Sequence, residues 1–414
     1  MKKSDIPIVF VPALLGTELI RTHEAENNSH QVEEELVYVT SAIGLNLKSP
    51  DISLPIKWTH DIEDPDSLPV QEKDNIVPGN VMETIQFCCC TVLNQYKDFC
   101  DHYRRMASKS FYTFEYDWRR DLNETTNKFV SYLKDICARH SCAPQVVSHS
   151  MGCLIALAAF KSDPSLFHSV IFAGGNFGGG AGFYPTNTDG MTVGLNKTFL
   201  RGDICYTFPS LYAGASPTGI GNDPILRDEY GHQLFQFIDS KSVKGGDKVS
   251  VDIDMYDVDH WKKFKLGPWS QSATNTVTPE MELHVKTCLN LGKHFQMKLR
   301  HNEPNRHSYP PVAVLVGDQY LNPDYFLWDT NRSCWIEWSP HIIKEFKPEN
   351  YVRTDGTISY ISASQPPLFP GVNIKEYKAR FNGPGKGSHR ELLDDVELID
   401  KILEDLRLAS SSEI

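Results

Sequence analysis

The stretch Val146-Val147-Ser148-His149-Ser150-Met151-Gly152-Cys153-Leu154 constrains this chain more than any other. An apolar run stops on a turn of small residues and restarts at once with helical spacing, which reads as a buried strand over 145–148 feeding a helix over 151–161. So tight a strand-to-helix turn lifts the Ser150 hydroxyl above the sheet and aims the next backbone N–H, that of Met151, at any oxyanion formed there. The spacing is that of the G-x-S-x-G nucleophile elbow, with Ser148 where the first glycine is usual.

The flanking sequence alternates in the same manner. Short apolar runs at 8–11, 111–116 and 169–173 read as strands, and residues 123–138 read as a helix. Strand character returns at 312–317 and near 374–381, and a closing helix carries Leu392, Val396, Ile399, Leu403 and Leu406 on one face. Helical apolar spacing is also read over 82–107. Alternating elements joined by right-handed crossovers give a mostly parallel central sheet with helices on both faces. Together with the serine turn, this predicts an α/β-hydrolase fold. Residues 40–79, rich in Pro, Asp and Lys without a sustained period, read as a lid-like insertion, and 192–305, where alternation gives way to aromatic-rich polar segments, as a cap subdomain. The core is then 1–39, 80–191 and 306–408, with 409–414 a tail.

Composition narrows the functional classes. A chain of 414 residues, 40% hydrophobic, has ample material for a large core. A net charge of −12, with no stripe of Lys and Arg, argues against nucleic acid and leaves apolar surface as the route to any lipid contact. No uninterrupted apolar run is long enough to span a membrane. The ten cysteines lack paired C-x-x-C spacing, so they read as buried thiols in a reducing compartment, with neither zinc nor a disulfide framework. Sequons at Asn123-Glu124-Thr125 and Asn331-Arg332-Ser333 are short enough to arise by chance. Residues 6–15 hold two prolines and no cleavage site, so the start reads as the first core strand, not a signal peptide. Gly174-Gly175-Asn176-Phe177-Gly178-Gly179-Gly180 follows a strand but lacks dinucleotide or Walker order, and reads as a loop beside the site. No cofactor and no metal are expected.

An activated serine needs a base and an acid to orient that base. His389 follows the loop Gly383-Pro384-Gly385-Lys386-Gly387-Ser388, after the last strand and before the last helix, from which an imidazole reaches over the sheet edge. Two aspartates compete as acid. Asp318 comes directly after the strand ending at Gly317, and Asp355 sits in Thr354-Asp355-Gly356-Thr357-Ile358; topology alone slightly favours Asp318.

Five motifs in order resemble the lecithin:cholesterol acyltransferase family, with its phospholipid:diacylglycerol acyltransferases and lysosomal A-type phospholipases. They are Phe10-Val11-Pro12-Ala13-Leu14-Leu15-Gly16-Thr17-Glu18-Leu19, Tyr116-Asp117-Trp118-Arg119, Ser148-His149-Ser150-Met151-Gly152-Cys153, Gly174-Gly175-Asn176-Phe177-Gly178-Gly179, and Thr354-Asp355-Gly356-Thr357-Ile358 with His389 behind it. The resemblance implies Ser150 as nucleophile, His389 as base and Asp355 as acid, with Asp318 second, and Leu15 and Met151 as oxyanion donors. Tyr116-Asp117-Trp118-Arg119 would brace the strand ends, with Asp117 and Arg119 paired. The chain departs from the family at Ala13, where glycine is usual, and in having no cysteine before Cys88, which leaves the lid without the disulfide of extracellular members. With no signal peptide read, an intracellular place is expected, cytoplasmic or peripheral to a membrane.

The expected activity is acyl transfer through an acyl-enzyme, from a phospholipid or acylglycerol to an alcohol acceptor or to water. A soluble carboxylesterase and an inactive, lipid-binding α/β-hydrolase are the alternatives, and the oligomeric state is open. Trp58, Trp261, Trp269 and Phe264 read first as core and second as contacts to a lipid surface.

Overall fold

Buried parallel strands are covered on both faces and therefore read as continuous apolar runs. Four buried strands form the centre of one sheet, and two partly exposed strands flank them at its edges. The computed structural model describes residues 6–24, 32–60, 67–87, 90–106, 110–178, 183–214, 236–239, 253–270, 276–302, 309–323, 325–329, 331, 333–336, 351–368, 372–379 and 388–412. Strands Ile374–Lys378, Val312–Val316, Ser169–Ala173, Gln145–His149, Ile8–Val11 and Phe111–Thr113 lie in that order across one sheet. All of its pairings are parallel.

Successive side chains of a strand go to opposite faces. Val9, Val11, Val146, Val170, Phe172, Val312, Val314 and Val316 pack with the helices Leu122–His140 and Met151–Ser162. Ile8, Phe10, Val147, Ile171, Ala173, Ala313 and Leu315 pack on the other side with the helices Lys97–Met106 and Val396–Ser412. This helix–sheet–helix sandwich is an α/β-hydrolase fold. Register sets the site: Val11 lies opposite Ser148, and His149 opposite Ala173. The loops leaving the carboxyl ends of these strands therefore emerge side by side, where open α/β sheets hold their ligands.

Three local expectations need correction. Residues 82–107 are not one helix: Thr84–Phe87 and Cys90–Asn94 pair as an antiparallel hairpin, and only Lys97–Met106 is helical. The helix begins where Asn94 Oδ1 accepts from Lys97 N, at 3.1 Å. Within residues 192–305 runs a 22-residue helix, Pro279–Arg300, that the sequence reading missed. Its start signals are plain in retrospect: Thr278 caps it, Pro279 opens it, and Glu280 and Glu282 lie in its first turn. The final helix continues to Ser412, into the expected tail.

The described parts of 40–79 are tied to the core by polar contacts. Ile52 and Leu54 are buried, Arg119 donates to the Ile52 carbonyl at 2.8 Å, and Arg120 donates to the Gln71 carbonyl at 2.8 Å. Ile76–Val81 pairs with Thr17–Glu24, which also pairs with Val32–Tyr38, in a separate antiparallel sheet. Trp261 and Phe264 are core residues, packed with Tyr212, Val285, Leu289 and Trp328, and Trp58 and Trp269 rest against that cluster. Cys100, Cys153, Cys205 and Cys288 are buried free thiols. Among the described residues no helix is long and apolar enough to cross a membrane, and no His, Cys, Asp and Glu cluster is arranged for a metal. Gly179 and Gly180 of the glycine run, Arg332 of the second sequon, Phe381, the 383–387 approach to His389, Cys88, Cys89 and much of 192–305 lie outside the described residues.

Candidate active site

At the end of its strand Ser150 adopts φ 53°, ψ −119°, a conformation that an L residue holds only under constraint. Ser150 N donates to the Ala173 carbonyl, and Cys153 N donates to the Ser150 carbonyl, both at 2.9 Å. Gly152 completes the turn for a steric reason: a Cβ there would lie 2.5 Å from the carbonyl oxygens of Val11 and Pro12. Only glycine lets the first turn of the helix press so closely on the loop after the first strand. Ser148, in place of the usual glycine, is buried within its strand and donates to the Ile171 carbonyl at 2.9 Å.

His389 meets Ser150 from across the sheet edge. Its Nε2 lies 2.8 Å from Ser150 Oγ and its Nδ1 2.6 Å from Asp355 Oδ2. Gly174, at φ +60°, makes room for the ring, since a Cβ there would sit 2.9 Å from His389 Cε1 and Nδ1. Asp355 is 1% exposed, and its other oxygen accepts from Thr357 N at 3.0 Å and Ile358 N at 2.8 Å. Burial works against its charge, but the His389 ring and these hydrogen bonds together hold the carboxyl below its ordinary range. The Asp355 carbonyl also accepts from His389 N at 2.8 Å.

The second candidate acid is engaged elsewhere. Asp318 Oδ2 lies 2.7 Å from Lys378 Nζ and 3.7 Å from Arg353 NH1. Asp355 reaches this edge because strands Tyr320–Pro323 and Tyr351–Thr354 pair antiparallel, Tyr320 opposite Thr354, returning the chain to where it left the sheet.

The 12–16 loop is held from several sides. Gly16 N donates to the Ala13 carbonyl at 3.0 Å, Tyr116 Oη to the Pro12 carbonyl at 2.8 Å and Trp118 Nε1 to the Thr17 carbonyl at 3.0 Å. Leu15 takes φ 62°, and no described residue accepts a hydrogen bond from the backbone N–H of Leu15 or of Met151. Ala13, 6% exposed, is not in the left-handed region, so the position makes no conformational demand for glycine. Asp117 and Arg119 do pair, at 2.7 Å, and Arg119 also reaches Asp74 at 2.8 Å.

Two residues beside the site were missed. His149 and Tyr96 are both buried, and their side chains meet at 2.7 Å. Adjacency to Ser150 was a signal for His149; nothing in the sequence singles out Tyr96.

Comparison with protein-family models and with curated proteins returns no match. Among solved structures, the chain is similar to a chain of the Tle4–Tli4 complex, with a TM-score of 0.48 and 11% identity over 94% of this chain and 96% of that one. It is also similar to phospholipase PlaB from Legionella pneumophila in complex with thio-NAD, with a TM-score of 0.19 and 9% identity over 54% of this chain and 65% of that one. A second PlaB structure gives a TM-score of 0.20 and 10% identity over the same shares, 54% and 65%. Likeness at this level assigns neither a family nor a substrate to the chain.

Proposed function

We propose that the chain is a serine acyl hydrolase or O-acyltransferase acting on lipid esters, with Ser150 as nucleophile, His389 as base and Asp355 as orienting acid. The observation that carries the reading is the relay of 2.8 Å from Ser150 Oγ to His389 Nε2 and 2.6 Å from His389 Nδ1 to Asp355. The alcohol of Ser150 is then activated by a base whose tautomer a buried carboxylate fixes.

As Ser150 Oγ bonds to the ester carbonyl carbon, His389 takes its proton, and the N–H groups of Leu15 and Met151 stabilise the oxyanion. Each such donor is worth on the order of 3 kcal/mol. The tetrahedral intermediate expels the alcohol, which leaves with the proton from His389. Water or an acceptor alcohol then attacks the acyl-enzyme, giving up its proton to His389, and Ser150 recovers it as the acyl group departs. The lipid class rests on the resemblance of the five motifs to the lecithin:cholesterol acyltransferase family. In this reading residues 40–79 form the lid and 192–305 the cap, shaping acyl and acceptor access.

Phospholipid vesicles, alone and with diacylglycerol or a sterol, test it. Wild type is expected to release fatty acid or to acylate the added acceptor, and Ser150→Ala to do neither. Turnover of water-soluble esters with none of vesicle lipids would reduce the activity to that of a carboxylesterase.

A further inference from the structure

A buried hydrogen-bonded chain runs behind the candidate triad without touching Ser150 Oγ. Ala13 N–H donates to Tyr96 Oη at 3.2 Å, Tyr96 Oη and His149 Nδ1 are 2.7 Å apart, and His149 Nε2 lies 2.8 Å from the backbone carbonyl oxygen of His389. We infer that Tyr96 and His149 are positioning residues that couple the oxyanion loop to the catalytic histidine, holding both in one frame around Ser150. The inference rests on the triad reading above.

Proton positions along the chain follow from chemistry. A carbonyl oxygen only accepts, so His149 Nε2 carries the hydrogen that faces His389. A neutral imidazole has one such hydrogen, which leaves Nδ1 as an acceptor and makes Tyr96 its donor. The Tyr96 oxygen keeps a lone pair for Ala13 N–H. Each of these groups is used in one sense, and none competes with another. The surroundings keep it so: burial pushes His149 down to about 3, so it stays neutral, and burial pushes the Tyr96 phenol well above its usual range, so it keeps its proton.

The chain joins the loop after the first strand, the residue that precedes the helix Lys97–Met106, the end of the strand Gln145–His149 and His389. Tyr96 precedes the helix Lys97–Met106 and is fixed by Phe10, whose ring stands edge-on to it at 4.9 Å, and by Tyr96 N donating to the Glu83 carbonyl at 3.1 Å. His149 is the last residue of the nucleophile strand, and its ring lies 4.9 Å from that of His389. His389 is thus held by its N–H from Asp355, by its carbonyl from His149, and by its ring from Asp355. Near-attack geometry is steep in position, and a misplacement of about 1 Å costs on the order of a hundredfold in rate. A device that fixes the base and the oxyanion loop to the same buried pair should therefore act on the chemical step and not on substrate binding.

The test uses the full chain and a fluorophosphonate ester, separating the limiting labelling rate at Ser150 from the probe concentration giving half of it. Tyr96→Phe removes the hydroxyl and keeps the ring; the limiting rate is expected to fall about tenfold or more, with half-saturation within about twofold of wild type. His149→Gln carries an amide N–H near the place of Nε2 and keeps the bond to His389, whereas the shorter His149→Asn amide reaches only the place of Nδ1 and leaves the His389 carbonyl without that donor. The Gln variant is expected to label faster than the Asn variant, a rescue that a space-filling role does not give. Should Tyr96→Phe fail to fold, the His149 pair decides. Wild type labelling at Ser150, with these variants folded and within about twofold in limiting rate, overturns the coupling and leaves the triad standing. No wild-type labelling overturns both.

Discussion

Asp355→Asn separates a catalytic carboxylate from a merely buried one, and the surrounding hydrogen bonds set its effect. Asp355 Oδ1 accepts from Thr357 N and Ile358 N, while Oδ2 faces His389 Nδ1 at 2.6 Å. An asparagine that keeps its oxygen on the two backbone donors must turn its NH2 group toward Nδ1. The flipped amide would point that group at two N–H donors and forfeit two hydrogen bonds, about 2 kcal/mol in all, which disfavours the flip by about thirtyfold. Nδ1 must then accept, the imidazole proton moves to Nε2, and the ring presents a donor to Ser150 Oγ in place of a base. Turnover is expected to fall about four orders of magnitude, or about 5.5 kcal/mol in the barrier, with folding intact. Hydrolysis of a short-chain p-nitrophenyl ester measures this, with Asp318→Asn expected within about threefold of wild type. Retention of more than about a tenth of the activity by Asp355→Asn, or an equal loss in Asp318→Asn, would refute the reasoning.

Gly174→Ala places a methyl group 2.9 Å from two atoms of the His389 ring, at φ +60°, and is expected to cut the Ser150 labelling rate at least about tenfold; unaltered labelling would contradict the placement of the ring. Gly152→Ala drives a methyl into the Val11 and Pro12 carbonyls and should lower turnover on the order of a hundredfold through the oxyanion loop, read as a fall in kcat with KM nearly unchanged. Arg119→Met strands the Asp117 and Asp74 carboxylates and is expected to cost about 3–5 kcal/mol in urea unfolding; a loss below about 1 kcal/mol would show that the pair is not an anchor. Stability should also fall between pH 7 and 5. Burial holds His149 at about 3 and His284 at about 4 against 6.5, so the unfolded chain binds more protons below 6.5 and the fold loses stability as pH falls. Burial raises Asp121 from 3.8 to about 6, a gain of opposite sign that offsets one histidine. The three together give a loss of about 2 kcal/mol at pH 5, and stability that is flat or rising on acidification would contradict this balance.

The strand-to-helix turn at Ser150, the parallel strands and the reach of His389 over the sheet edge were legible because each is written locally: an apolar run, a small-residue turn, a loop histidine between the last strand and the last helix. Which aspartate faces His389 was not. Both aspartates follow the strand Val312–Val316, and the pairing of Tyr320 with Thr354 that returns Asp355 to its end is a long-range event that spacing does not encode. Thr84–Phe87 and Cys90–Asn94 pair as strands where the spacing suggests helix, because short apolar runs fit both periods and the tertiary pairing decides. Tyr96 joins the site only through the placement of its helix beside the first strand, so neither its type nor its spacing announces it. His149 lies beside Ser150 in the sequence, but its bond to a carbonyl 240 residues away in the chain is not written there.

The central claim is that Ser150 is unusually reactive because His389 and Asp355 converge on it. Mass-spectrometric mapping of a fluorophosphonate adduct on the purified full chain tests this most directly. The expected result is a single adduct on Ser150, abolished by Ser150→Ala and slowed by orders of magnitude in His389→Ala. An unmodified Ser150 in folded wild type, or labelling indifferent to His389, would contradict it.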